Sequence, residues 1–272
     1  MTRPRLKVLK HRLYRRAKPF LPNQQSEYRA QIVRINRFLA QDNAWLFWFD
    51  GGRYDWFEKL VPKYFDGKLE KVHNGGTAYS GEWAECNLGQ TYPEQGLFCS
   101  MPVRDLQLSE YDGRNHFEIA PDVDTESTVN ERLAALGYRE QISTGHIDIS
   151  PGHTNESVRK HLDAVNGGVV RYLKPHPPLT GLEELTSGGG KLKATWGALQ
   201  DGTVTYSELE SAYEATYREA FEAAQDLLQD LDGPVAITAD HGECLGDCGQ
   251  LFHGPYHARH RHLTEVPFFT LE

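Results

Sequence analysis

Short apolar runs follow segments with helical spacing at three places along the chain. The runs cover residues 44–49, 169–173 and 235–238, and the segments before them cover residues 25–41, 156–165 and 209–231. The third segment is the clearest helix, because Leu209, Tyr213 and Tyr217 begin a series at helical spacing and Gly233-Pro234 ends it. Continuous apolar runs indicate strands covered on both faces, and helices between them indicate parallel crossovers. The pattern predicts an α/β fold with a mostly parallel central sheet and helices on both faces.

One polar stretch interrupts this alternation. Residues 186–205 include three consecutive glycines at 188–190. Glycine-rich polar segments of this length favour loops. We therefore predict a mobile loop or an insertion near a site here.

Each of the three predicted strands ends in groups that bind metals or anions. The pairs are Asp50 with Arg53, Lys174 with His176, and Asp240 with His241. One such ending would be an ordinary turn or cap, but the carboxyl ends of parallel strands meet at one edge of a sheet, where ligands bind. Carboxylates with an imidazole suit zinc, manganese or magnesium, and calcium less well. The ion would polarise a phosphoryl or sulfuryl oxygen, and Arg53, Lys174 and His176 would neutralise the other oxygens of the transferred group.

A nucleophile for this chemistry is expected at a loop-to-helix junction, where unpaired backbone N–H groups help to hold an anion. The glycine-rich segment 73–83 precedes a more helical stretch and offers two hydroxyl groups, Ser80 and Thr77. For either residue alone, capping a helix or a turn is the alternative role.

Three motifs resemble one family. ITADHGECLGD at 237–247, followed by LFHG at 251–254 and VPF at 266–268, is similar to the carboxyl-terminal signature of the sulfatase-like branch of the alkaline phosphatase superfamily. FDGGRYD at 49–55 resembles the first metal strand of that family, and YLKPHPP at 172–178 resembles its P-H-x-P element. The motifs occur in the family's order. The resemblance implies a three-layer alkaline-phosphatase-like sandwich.

The resemblance also implies roles for individual residues. It assigns Asp50, Asp240 and His241 to the metal, with the nucleophile as a further ligand. Ser80 is preferred to Thr77 because Glu-Trp follows it, as in related sequences. The resemblance also covers two other histidines, His176 and His253. They match residues that contact the substrate or a second metal in phospholipid-head-group transferases, and His253 is counted with the metal ligands.

The chain departs from the family at two places. True sulfatases carry C/S-x-P-x-R, whereas this chain reads SGEWA at 80–84, so we expect phosphoester chemistry more than sulfate ester hydrolysis. Tyr172 stands where a bimetallic phosphatase would need an aspartate, so we expect one ion. The predicted function is a metal-dependent hydrolase or transferase for a phosphate or sulfate ester, acting through a covalent intermediate. The alternative is a catalytically degenerate binding protein with the same fold.

Charge divides the chain into two parts. The net charge is -9, yet residues 1–20 hold eight Lys or Arg and no acidic residue, so the rest carries 21 basic against 38 acidic residues. We predict a basic arm at 1–22 and a single catalytic domain at 23–272. An acidic body disfavours nucleic acid. The arm is either a solvated terminus or a contact with an anionic membrane.

Composition predicts where the protein is found and what it acts on. With a mean hydropathy of -0.58, no run of about 18 apolar residues and no apolar block of an export signal, a soluble cytoplasmic protein is expected. The substrate is expected to be a small-molecule, lipid or glycan ester, and the sequence does not specify its organic part or the oligomeric state.

The four cysteines are too few for a disulfide scaffold, and we expect them to be reduced. Cys244 and Cys248 lie among five histidines, which raises the question of a zinc site. Their C-x3-C spacing fits no closed Cys2His2 pattern well, and the sequence therefore argues against structural zinc at this position.

Overall fold

The computed structural model describes residues 25–77, 80–88, 96–99, 151–187, 190–253 and 260–272. The predicted basic arm at 1–22 lies outside the described residues. The assignment of 23–272 to one catalytic domain stays a prediction. In the part of the chain that is described, no helix is long and apolar enough to cross a membrane.

Helices and strands alternate along most of the described chain. The helices are α1 Gln25–Leu39, α2 Tyr54–Leu60, α3 Ser80–Asn87, α4 Pro151–His161, α5 Glu183–Thr186, α6 Lys191–Asp201, α7 Tyr206–Leu228 and α8 Arg261–Thr264. The strands are β1 Trp45–Asp50, β2 Gly67–His73, β3 Gly96–Cys99, β4 Gly168–Pro175, β5 Val235–Ala239 and β6 Glu265–Leu271. Short 3-10 helices cover Val61–Lys63 and Leu162–Ala164. All three apolar runs are strands and all three periodic segments are helices, as the sequence pattern predicts.

The six strands form one sheet in the order β2-β6-β5-β1-β4-β3. Strands β3, β4, β1 and β5 are parallel, but β6 runs antiparallel to β5 and to β2. The prediction of a mostly parallel sheet is therefore corrected to a mixed sheet. The physical reason lies in the two ends of the β5–β6 connection, which meet at the carboxyl edge: the Gly242 N–H donates to the Leu263 carbonyl at 3.2 Å, and the chain re-enters the sheet from that edge.

Helices cover both faces of the sheet, which gives the described residues three layers. On one face, Phe221 of α7 lies with its ring centroid 5.5 Å from Phe49 and 5.2 Å from Phe57. On the other face, Trp48 packs against Trp83 of α3 with centroids 4.5 Å apart. Adjacent residues of β1 thus point to opposite cores, and both cores are buried. This explains why the strand reads as a continuous apolar run.

The predicted loop at 186–205 is largely helical in the structure. Helix α6 covers Lys191–Asp201, with Gly190 at its N-cap and Gly202 at its C-cap in the left-handed region at φ 78°. The prediction of a mobile loop is wrong for these residues. Glycine at a C-cap adopts this conformation without a Cβ penalty, so Gly202 ends the helix. Two glycines of this stretch, Gly190 and Gly202, thus lie at the two ends of a helix.

The prediction of reduced cysteines is wrong for one pair. Cys244 and Cys248 form a disulfide. A tight turn brings them together, with Gly246 at φ 98° and its N–H bonded to the Gln250 carbonyl at 2.9 Å. The sequence gives the four-residue separation but not the turn that closes it.

Candidate metal centre

Three buried side chains meet where β1 and β5 end. Asp50 is the last residue of β1, and Asp240 and His241 follow β5 directly. The Nε2 atom of His241 lies 3.5 Å from a carboxylate oxygen of Asp50 and 3.5 Å from one of Asp240. Oδ1 of Asp240 accepts from the backbone N–H of Gly51 at 3.1 Å and of His241 at 2.9 Å, which fixes the carboxylate in place. The structure therefore brings together the three residues predicted as metal ligands.

The donor set of this centre fits a divalent cation. Nδ1 of His241 lies 3.0 Å from the Gly242 carbonyl, which can only accept, so the tautomer that satisfies this contact carries its proton on Nδ1 and presents the Nε2 lone pair to the carboxylates. Nε2 of His241 and Oδ1 of Asp50 are buried and have no hydrogen-bond partner among the described residues. Two carboxylates and an imidazole lone pair that converge in a buried place form a donor set for a cation, and oxygen with nitrogen donors suit zinc, manganese or magnesium.

Ser80 joins this centre from the first position of α3. Its Oγ lies 2.5 Å from Oδ2 of Asp240 and 3.2 Å from Oδ2 of Asp50. Thr77, the other candidate, is buried three residues earlier, and its carbonyl accepts from the Asn74 side chain at 2.6 Å. Asn74 also donates to the Asp240 carbonyl at 2.6 Å, and it thereby ties the glycine-rich loop to the end of β5. The contacts favour Ser80, whose role as nucleophile stays a prediction.

Arg171 adds a positive charge that the sequence motifs do not indicate. Its guanidinium makes an ion pair with Oδ2 of Asp50 and lies 5.0 Å from the centroid of the Trp48 ring. Burial alone would raise the pKa of Asp50, but Arg171 and the nearby imidazoles outweigh it and hold that pKa below its usual range. Burial and the Asp50 charge raise the pKa of Asp240. The feature of the sequence that points to Arg171 is its position as the one charged residue in the apolar run at 169–173.

A second group of ligand-type side chains lies beside the first. It consists of His176, Glu243 and His253, whose donor atoms lie within 4.8 Å of one another. Nδ1 of His253 donates to Oε1 of Glu243 at 2.6 Å, and the centroid of the His253 ring is 4.1 Å from that of His241. His253, which the resemblance counts with the metal ligands, thus lies in this second group. Glu243 stands within the quoted Asp-His-Gly-Glu motif but was given no role.

Burial and charge set these imidazoles apart. Burial lowers the pKa of His176 to about 3, so that this ring is neutral. Burial also lowers the pKa of His253, but the Glu243 carboxylate more than offsets it and raises that pKa above its ordinary value. The charge of His253 in turn helps to lower the pKa of Glu243 against its burial. The second group therefore combines a neutral imidazole with a hydrogen-bonded imidazole–carboxylate pair.

Lys191 brings a further cation to the same place. Its Nζ lies 3.4 Å from Nε2 of His176 and 5.5 Å from the centroid of the Phe252 ring. Burial lowers the pKa of Lys191, although the charges of Glu243 and Asp50 act in the other direction. Lys191 is the first residue of α6, in the stretch that the sequence places near a site without naming a residue.

Arg53 and Lys174 bind partners outside the Asp50 and Asp240 pair. The Arg53 guanidinium contacts Asp55 at 2.6 Å and Asp247 at 2.8 Å, and it donates to the Glu243 carbonyl at 3.3 Å. Nζ of Lys174 donates to the Pro178 carbonyl at 3.1 Å and lies 3.3 Å from a Glu219 oxygen. These contacts stabilise the surrounding loops, and a role for either cation at the substrate stays a prediction.

Solved structures that the chain is similar to include enzymes of the alkaline phosphatase superfamily. No protein-family model and no curated protein sequence matches the chain. The C-terminal periplasmic domain of the phosphoethanolamine transferase EptC from Campylobacter jejuni is 13% identical over 84% of this chain and 78% of its own, with a TM-score of 0.45. The phosphonate monoester hydrolase of Agrobacterium radiobacter is 15% identical over 85% and 68%, with a TM-score of 0.48. The C-terminal periplasmic domain of EcEptC from Escherichia coli, solved in complex with Zn, is 14% identical over 84% and 72%, with a TM-score of 0.35.

These neighbours fall within the superfamily that the motifs resemble. At such identities and TM-scores, the likeness by itself assigns no activity, substrate or metal to this chain.

Proposed function

We propose that this protein is a divalent-metal-dependent phosphoester hydrolase or phosphotransferase that uses Ser80 as its nucleophile. The observation that carries the proposal is the position of Ser80 Oγ, within hydrogen-bond distance of both carboxylates of the centre. A hydroxyl held among ligands that suit a cation is the arrangement that activates serine for attack on phosphorus. A serine that only capped helix α3 would not need two buried carboxylates from other strands.

Asp50, Asp240 and His241 would hold one divalent ion, which we take to be zinc, manganese or magnesium. When bound, such an ion polarises a phosphoryl oxygen and lowers the pKa of a neighbouring hydroxyl. Arg171 holds the Asp50 carboxylate from the side of the Trp48 ring. The ligand set is therefore oriented by contacts within the protein.

The residues of the chain can be assigned to the proton transfers. Ser80 Oγ, held 2.5 Å from Oδ2 of Asp240, forms a bond to phosphorus and releases its proton to solvent. The ester P–O bond breaks, and protonated His253, oriented by Glu243, gives its proton to the leaving oxygen. Water, or an acceptor alcohol in a transfer reaction, then attacks the phosphoserine and loses its proton to His253. The Ser80 oxygen then leaves phosphorus and takes up a proton from solvent, and Lys191 offsets negative charge on the transferred group.

We propose phosphate rather than sulfate as the transferred group. The segment at 80–84 lacks the proline and arginine of the sulfatase motif whose cysteine or serine becomes formylglycine. An unmodified serine attacks phosphorus readily, and sulfate ester hydrolysis through it is less expected. The organic part of the ester, whether a small molecule, a lipid or a glycan, is left open by this chemistry.

The test combines metal content with a panel of esters. The wild type should bind one divalent ion at this centre and hydrolyse nitrophenyl phosphate or bis(nitrophenyl) phosphate faster than nitrophenyl sulfate. Asp240→Ala should lose both the ion and the turnover, whereas Asp232→Ala, which removes an exposed carboxylate before β5, should keep both. If the wild type binds no metal, or if Asp240→Ala keeps its activity, the proposal is wrong. The alternative, a non-catalytic binding protein with this fold, would then be favoured.

A further inference from the structure

The turn after Glu243 carries a separate group of sulfur and nitrogen ligands. Ligand atoms of Cys244, Cys248 and His260 all lie within 4.8 Å of one another. Nδ1 of His262 lies 3.8 Å from Sγ of Cys248. Three donors from two segments of the chain thus converge outside the group formed by Asp50, Asp240 and His241, and His262, whose Nδ1 is paired with Asp247 at 2.9 Å, lies beside them.

The local fold brings these side chains together although their spacing in the sequence does not suggest it. Residues 245 and 251 pair as an isolated β-bridge, which closes the turn that holds both cysteines. His260 is the N-cap of α8, and its side chain accepts a hydrogen bond from the backbone of His262 at 3.3 Å. The start of α8 therefore presents both imidazoles to the cysteine turn. A C-x3-C pair with distant histidines can form a Cys2His2 set in this way.

We infer that Cys244 and Cys248, once reduced, bind a thiophilic divalent cation such as Zn²⁺ together with His260 and His262. Two thiolates and two imidazoles are a tetrahedral zinc set, and they differ in softness from the oxygen-rich centre at Asp50. Zn–S bonds of about 2.3 Å at a tetrahedral angle require sulfurs about 3.8 Å apart. The donors of Cys244, Cys248 and His260 already lie within 4.8 Å of one another, and Nδ1 of His262 lies 3.8 Å from Sγ of Cys248.

The disulfide and the metal exclude each other, because a sulfur bonded to sulfur is not a thiolate. A thiol or phosphine reductant must first break the Cys244–Cys248 bond, which yields two protein thiols and the oxidised reductant. Metal binding then replaces two S–H protons, which are released to solvent, with two S–metal bonds. The site is therefore available only under reducing conditions.

The position of the turn links the site to the second group of the metal centre. Cys244 follows Glu243 directly, and its carbonyl accepts from the Phe252 N–H at 2.5 Å, next to His253. Reduction and metal binding would therefore replace the Cys244–Cys248 disulfide with two sulfur–metal bonds in the segment that carries both Glu243 and His253. The binding step itself does not depend on the proposed phosphoester chemistry.

Cobalt titration of the full chain tests this inference without an activity assay. We would compare protein reduced with a phosphine, then freed of reductant under argon, with the oxidised protein. The reduced chain should bind one more Co²⁺ than the oxidised chain and show a thiolate-to-Co²⁺ charge-transfer band that carboxylate and imidazole ligands do not produce. Cys248→Ser should lose the band, and Cys86→Ser, which removes a cysteine elsewhere in the chain, should keep it.

Two further variants separate this site from the proposed catalytic centre. His260→Ala should raise the Kd for this Co²⁺ by at least about tenfold, since losing even an outer partner of a metal ligand costs 10- to 100-fold. Asp240→Ala should keep the thiolate band while losing the ion at Asp50. A reduced wild type without the band, or a band that persists in Cys248→Ser, would overturn the inference whatever the outcome at Asp50.

Discussion

Glu243→Gln is the variant that probes the proposed proton donor. Glu243 is fully buried, and its Oε1 lies 2.6 Å from Nδ1 of His253. Glutamine keeps the shape and a neutral hydrogen bond but removes the charge. A hydrogen bond to a charged group contributes about 1.5–3 kcal/mol and a neutral one about 0.5–1.5 kcal/mol, so the loss is about 1–1.5 kcal/mol. The pKa of His253 should therefore be lower in the variant than in the wild type.

The direction of the pH effect follows from the role of the proton. Glu243 raises the pKa of His253, and protonated His253 is the form that donates, so activity is lost as the pH rises through that pKa. In Glu243→Gln this loss should occur at lower pH. Above the new pKa, kcat for an alkyl phosphate should fall about tenfold. Nitrophenyl phosphate should be affected less, because its leaving group needs little protonation.

Steady-state kinetics across pH with both esters would measure this effect, with metal content determined for each protein. Glu222→Gln, which neutralises an exposed carboxylate on α7, is the matched control and should behave as wild type. An equal loss on both esters, or an unshifted alkaline limit at unchanged metal content, would refute His253 as the proton donor. Loss of a bound ion from Glu243→Gln would instead indicate that His176, Glu243 and His253 bind a metal ion.

Three other expectations concern stability and the arm. Arg53→Met should lower the free energy of unfolding, measured with urea, by about 1–3 kcal/mol, because the buried Glu243 carbonyl loses its donor. Unchanged stability together with lost turnover would indicate a catalytic role for Arg53 instead. Phe221→Ala should lower the free energy of unfolding by about 3–5 kcal/mol in the same assay, whereas Leu192→Ala, at an exposed position, should change it little. Equal effects of the two substitutions would contradict the assigned core. Deleting residues 1–20 should weaken binding to anionic vesicles but spare turnover of a soluble ester, and unchanged vesicle binding would exclude the membrane contact.

The elements of the fold that the sequence predicts best are those with the strongest periodicity. Helix α7 carries a long apolar stripe and a capping box between Thr205 and Glu208, and strands β1, β4 and β5 are uninterrupted apolar runs. Strand β2 is half-exposed and β3 has only four residues, so neither produces a comparable signal. The antiparallel course of β6 depends on the edge at which the chain re-enters the sheet, which is set by tertiary contacts such as that of Gly242 with Leu263 and is not encoded in the local pattern.

The candidate site divides in the same way. Asp50, Asp240 and His241 follow apolar strands directly, and because parallel strands end at one edge, their convergence could be predicted. Arg171 and Lys191 could not, since the side that a strand residue faces and the start of α6 depend on tertiary packing. The role of Arg53 at the substrate stays a prediction, and its ion pairs with Asp55 and Asp247 are contacts that the position after a strand does not reveal.

The most direct test of the account is the turnover of nitrophenyl phosphate by metal-loaded Ser80→Ala, measured beside Thr77→Ala. Ser80→Ala should retain its ion through Asp50, Asp240 and His241 and lose activity by at least roughly a thousandfold, as expected when a nucleophile is removed. Thr77→Ala should keep most of the activity. Turnover that survives in Ser80→Ala, or that disappears only in Thr77→Ala, would contradict the assignment of Ser80 as the nucleophile.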